Sequence, residues 1–105
     1  MLRIYPFILE TIRLIAPLMR QIEKRDCDLA RQLRRATSSV ALNVAEAVGV
    51  SGGNERLRFR TALGSAYEVR ACLDVAQSFE YVETIDEGLR DRLDRIAATL
   101  YRLTR

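Results

Sequence analysis

Histidine and tryptophan are absent from this sequence, and cysteine appears only twice. Without histidine the chain lacks the commonest general base, and it lacks the Glu-x-x-His ligand pairs with which helical bundles hold two iron ions. An enzymatic site would have to be built from carboxylates alone, with Glu46 and Glu68 as its members. No histidine ligand or acidic cluster in the sequence supports it. No enzyme activity, cofactor or metal is therefore expected. Cys27 and Cys72 are too far apart to announce a metal motif or a disulfide framework, which suits a reduced, cytoplasmic protein.

Aromatic residues make up 7% of the chain, while Leu, Ala, Ile and Arg abound. Straight-chain side chains lose little rotamer freedom in helices, so the mixture favours helix over sheet. Long apolar runs are missing too: each is broken by Arg or Glu well short of the roughly 20 residues a bilayer requires. No membrane association is expected. The opening "MLRIYPFILETIRLIAPLM" carries an early Arg3 ahead of apolar residues. Glu10 and Arg13 interrupt it and no small-residue cleavage pattern follows, so it reads as part of the fold and not as a secretion signal.

What the chain does have is a globular balance, 49% apolar and 30% charged over 105 residues. That length suits one domain, residues 1–105, with one continuous core. The net charge is +3, and every basic residue except Lys24 is an arginine. A mildly basic, arginine-based surface is compatible with a polyanionic partner.

Four segments space their apolar residues alternately three and four apart, the mark of a helix with one buried face. The first, about residues 6 to 23, runs Ile8, Ile12, Ile15, Met19 and Ile22, widened by Leu14 and Leu18. Pro6 suits its first turn, and Pro17 predicts a kink. The second runs Leu29, Leu33, Ala36, Val40, Asn43 and Ala47, with Asp26 or Asp28 as N-cap. The connector "GVSGGN" ends it; its glycines lack the Gly-Lys-Ser/Thr ending of a phosphate-binding loop. The third, about residues 55 to 79, carries a broad stripe from Phe59 through Leu63, Ala66, Val69 and Leu73 to Phe79. The fourth opens on Thr84 and Glu87 as a reciprocal capping pair and runs Leu89, Leu93, Ile96, Leu100 and Leu103. Short connections predict an all-α, antiparallel up-down-up-down bundle.

Two arginine groups stand out: Arg31, Arg34 and Arg35 on the second helix, and Arg56, Arg58 and Arg60 at the start of the third. Guanidinium groups take phosphate bidentately, so either group could hold an RNA or DNA backbone in a salt-sensitive way. The plainer reading is a solvated face, as "RDRLDR" in the fourth helix is expected to be. No aromatic platform accompanies these arginines in sequence. The hydroxyls of Thr37, Ser38 and Ser39 have no neighbouring base, so bonding to the preceding helical turn is the simplest account.

In "TALGSAYEVR" three small residues, Gly64, Ser65 and Ala66, sit in a helix interior, where glycine costs about 1 kcal/mol relative to alanine. Close approach to the second helix would offset that cost. In "SSVALNVAEAVG" Asn43 falls on the inward stripe, and a buried amide without partners costs roughly 1–3 kcal/mol. A polar network of Ser39, Asn43, Glu46, Ser65 and Glu68 would satisfy it and fix helix register; a ligand site there is the sharper alternative.

Taken in order and spacing, "QLRRATSSVALNVAEAVG" and "NERLRFRTALGSAYEVRACLDVA" resemble the bacterial four-helix-bundle family whose members include proteins encoded in intervening sequences of 23S ribosomal RNA genes. The shared positions are Gln32, Leu33, Arg34, Arg35, Ser39, Asn43, Ala45, Glu46, Gly49, Ala62, Gly64, Ser65 and Glu68. The match covers about residues 29 to 80, while the first and last helices agree only in general character. Ala47 stands where the family pattern has a glycine. The resemblance implies a left-handed antiparallel four-helix bundle, commonly a pentamer, with a basic surface for nucleic acid. It also implies kinship to the accessory proteins of diversity-generating retroelements. The expectation is therefore a non-enzymatic homo-oligomer that contacts RNA or DNA through Arg31, Arg34, Arg35, Arg56, Arg58 and Arg60. The competing expectation is a protein-interaction scaffold whose arginines pair with acidic partner residues and whose Leu2, Ile4, Tyr5, Leu14 and Tyr101 supply apolar contact.

Overall fold

A computed structural model describes residues 3–49 and 54–105. Leu2 and most of the GVSGGN connector lie outside the described residues. The chain forms four α-helices, α1 (Ile4–Glu23), α2 (Cys27–Gly49), α3 (Asn54–Ser78) and α4 (Glu87–Leu103), with no strand among the described residues. Among the described residues no helix is long and apolar enough to cross a membrane.

Each helix packs against its sequence neighbours, and α4 returns to α1; the α2–α3 seam is the most extensive and α1–α4 the sparsest. Ile4 and Phe7 share a groove with Thr99 and Leu103. Arg58 reaches Asn43 and Glu46, while Arg70 meets Asp94 and Arg90 meets Asp74. The molecule measures 44 × 25 × 20 Å.

The core follows the four stripes. Ile8, Ile15 and Ile22 of α1, Leu33, Val40 and Val44 of α2, Phe59, Val69 and Leu73 of α3, and Leu89, Ile96 and Leu100 of α4 are all buried. Several expectations shift by one residue, because successive side chains leave a helix about 100° apart. Leu14, 49% exposed, lies outside the core it was expected to widen. Thr11 is buried and satisfied instead by its own turn, donating to the Phe7 carbonyl at 2.8 Å. On α2 the inward position belongs to Val44, and Asn43 is only half-buried at the edge. Helix α1 continues through Pro17 without interruption.

Asp26 caps α2, its Oδ1 accepting from the Leu29 amide at 3.0 Å. Its other oxygen accepts from the Tyr81 hydroxyl at 3.2 Å, tying that helix start to the α3–α4 connection. Burial first, and then this hydrogen bond, push the Tyr81 phenol above its ordinary value. The protonated phenol's contribution to stability is therefore present below about pH 10 and lost as pH rises through the higher folded value.

Helix α3 ends in a motif that the sequence hides. The Tyr81 amide donates to the Ala76 carbonyl and the Glu80 amide to that of Gln77, while Glu80 itself takes φ 63°. This is the Schellman closure, which normally places glycine at the left-handed position. Phe79, expected on the stripe, is exposed in this turn and stacks on Tyr81 with ring centroids 5.3 Å apart. Replacing Glu80 with glycine should raise the unfolding free energy by about 1 kcal/mol, measured by urea denaturation, because a side chain in this conformation costs about that much.

The capping pair expected at Thr84 and Glu87 does not form. Val82 and Ile85 are drawn into the core, which keeps the chain non-helical until Asp86. Helix α4 therefore starts at Glu87, with Asp86 as N-cap and no side-chain cap hydrogen bond.

Candidate functional site

The α2–α3 seam carries a continuous polar network. Ser65 Oγ and Ser39 Oγ are 2.7 Å apart, and Asn43 Nδ2 donates to both the Ser39 carbonyl at 2.9 Å and Ser39 Oγ at 3.0 Å. Arg58 closes it from α3, with one guanidinium nitrogen 3.5 Å from Asn43 Oδ1 and the other 3.7 Å from Glu46. Three members expected in this network, Ser39, Asn43 and Ser65, are thus joined directly. Glu46 joins only through Arg58, and Glu68 makes no hydrogen bond within it. Thr37 keeps the simpler arrangement, donating to the Leu33 carbonyl at 2.7 Å.

Glu68 lies beside the network in a groove of about 410 Å³ that it lines with Gln32, Arg35, Ala36, Ser39 and Ser65. Residues of the shared family pattern, Gln32, Arg35, Ser39, Asn43, Glu46, Ser65 and Glu68, therefore meet along one seam. Gly64 does not belong to it. A Cβ placed there would meet nothing within 4 Å, so its smallness serves no contact among the described residues. The face of α3 that it occupies also carries the exposed side chains of Leu57 and Val75.

The six arginines do not form two clusters. Arg31 pairs with Asp28 of its own helix at 3.1 Å, and Arg34 leans toward Glu23 of α1 at 4.0 Å. Arg35, 100° further round α2, points the other way into the groove with Glu68. On α3, Arg56 and Arg60 share a side one turn apart, while Arg58 faces α2 and is spent on Asn43 and Glu46. Among the described residues no ion pair forms at Arg35, Arg56 or Arg60, and all three are exposed.

The "RDRLDR" segment is a solvated face only in part: Asp91, Asp94 and Arg95 are exposed, whereas Arg90 and Arg92 are half-buried. Arg90 pairs with Asp74 at 2.9 Å and donates to Gln77, and Asp94 pairs with Arg70 at 3.5 Å. Arg92 donates to Thr11 Oγ1 at 2.9 Å, to the Phe7 carbonyl at 3.2 Å and to Glu10 at 3.0 Å, with its guanidinium 4.0 Å from the Phe7 ring centroid. Alternating sign marked these residues as solvated in sequence; only the neighbouring helices supply their partners. Burial, and secondarily the charge of Glu68, push the Cys72 thiol up, which keeps it protonated and a poor nucleophile. Among the described residues no group of three or more His, Cys, Asp or Glu side chains comes together to hold a metal ion.

A family model described as 23S rRNA-intervening sequence protein matches residues 3–102. No curated protein and no solved structure matches the chain.

Proposed function

The chain belongs to the 23S rRNA-intervening sequence protein family, and from that premise we propose that it is a non-enzymatic, cytoplasmic protein that binds the phosphate backbone of RNA or DNA. In this reading residues 1–105 form one antiparallel up-down-up-down bundle, left-handed as the family resemblance implies, and the packing of each helix on its sequence neighbours supports the alternation of direction. The observation that carries the function is that three of the six candidate arginines, Arg35, Arg56 and Arg60, are exposed and lack an ion-pair partner among the described residues. A surface guanidinium that is in no ion pair can take phosphate directly, whereas Arg31, Arg34 and Arg58 must first give up a partner. The test is a salt titration of fluorescently labelled RNA and DNA. Binding that weakens linearly in log–log form with salt is the expected result, and no binding at low salt sinks the reading.

We also propose that the chain is a homo-oligomer, a pentamer by family resemblance, associating through the α3 face that carries Leu57, Gly64 and Val75. The open space at Gly64 supports this, since a glycine in mid-helix costs about 1 kcal/mol relative to alanine and nothing among the described residues requires it. Gly64→Ala should raise helix stability by about 0.5–1 kcal/mol while weakening assembly, read by urea unfolding and native mass at fixed protein concentration. An unchanged multimer would remove Gly64 from the interface.

A further inference from the structure

The α3–α4 side of the molecule holds a second groove, of about 420 Å³, lined by Tyr67, Arg70, Asp94, Ala97, Ala98 and Tyr101. Its two tyrosines are 47% and 51% exposed, and the alanines between them leave space beside the rings. Each ring has an arginine over it, Arg70 at 5.3 Å from the Tyr67 centroid and Arg105 at 5.7 Å from that of Tyr101. Asp94, the one carboxylate lining the groove, is already paired with Arg70. Arg60 and Arg56 precede Tyr67 by about two and three helical turns, so they continue the same side of α3. Because Arg70 meets Asp94 while Tyr67 lies by Tyr101, those earlier turns run toward the end of α4, where Arg105 stands.

Exposed rings interleaved with arginines are the arrangement by which proteins follow an unpaired strand: bases stack on the rings and phosphates meet the guanidinium groups. Rings set in a groove reach only bases that can swing out of a stack, which a duplex does not offer. Resting on the nucleic-acid reading above, we infer that the α3–α4 groove is a track for single-stranded nucleic acid. Tyr67 and Tyr101 are the stacking platforms, and Arg56, Arg60 and Arg105 hold the backbone.

The experiment is fluorescence anisotropy with a short labelled single-stranded RNA and a duplex of equal length, at low salt. Tyr67→Ala and Tyr101→Ala should each weaken single-strand binding about tenfold, Tyr67→Phe and Tyr101→Phe should stay within about twofold of the parent, and duplex binding should not change. Alanine variants that bind the single strand as tightly as the parent overturn the groove assignment while leaving the nucleic-acid reading intact. A parent that binds neither probe defeats the nucleic-acid reading itself. Alanine variants whose native mass falls reveal an interface between copies, which also overturns the assignment. Should an alanine variant fail to fold, cross-linking the parent to thiouridine-substituted RNA decides: adducts must fall on the peptides holding Tyr67 or Tyr101, and adducts confined elsewhere refute it.

Discussion

Replacing Arg92 with alanine is expected to lower the unfolding free energy by about 3 kcal/mol, the largest loss from any side chain outside the apolar core. Its side chain, 24% exposed, bridges α4 to a hydroxyl, a backbone carbonyl and a carboxylate of α1, and its guanidinium lies over a ring of α1. A hydrogen bond involving a charged group contributes about 1.5–3 kcal/mol, and the stacked ring adds roughly 0.5–1. The Glu10 pair adds little, since that carboxylate is 62% exposed and screened. The α1–α4 packing is the sparsest of the four seams, so few other interactions compensate. Arg92→Lys should recover little, because an ammonium lacks the planar fork that reaches several acceptors at once. Urea unfolding at fixed protein concentration measures both variants; a loss under about 1 kcal/mol for Arg92→Ala would show that the clamp is replaceable.

The second large effect concerns binding. Arg56→Ala together with Arg60→Ala should reduce RNA affinity about tenfold to a hundredfold at low salt and flatten the log–log salt slope by about 1.4–1.8, since each phosphate left without its arginine lowers the slope by roughly 0.7–0.9. Arg31→Ala together with Arg34→Ala removes the same formal charge. It should cost less than about threefold, because each of those arginines is already paired with a carboxylate and so contributes less to phosphate binding. Equal losses from the two double variants would mean that net charge governs binding and that the pairing pattern does not.

The helices were legible because burial repeats with the helical period, and in Ile8, Ile15 and Ile22 or Leu89, Leu93, Ile96 and Leu100 the apolar residues recur at that spacing. The errors have the same origin. Counting three from Val40 gives Asn43 and counting four gives Val44, and only packing against neighbouring helices chooses the second. The polar seam was partly legible: Ser39, Asn43 and Ser65 appeared as polar groups that had to be satisfied, but their link to Glu46 runs through Arg58. Spacing sets Arg58 about 200° round α3 from Arg56 and Arg60 and on the face of Ser65, seven residues on, but only packing against α2 brings Glu46 within its reach. Tyr67 and Tyr101 were not seen as a pair, because they lie on different helices far apart in the chain.

By itself the sequence determined the all-helical class, the apolar stripes, the lack of a histidine-based site and the pattern shared with the intervening-sequence proteins. These follow from residue types and from periodicity along the chain, both local properties. Tertiary structure alone decided which arginines are spent on carboxylates, that Gly64 faces open space, that Glu80 takes the left-handed turn, and that two tyrosines share a groove. Each depends on what a neighbouring helix or turn places beside the side chain, and spacing along the chain does not encode that.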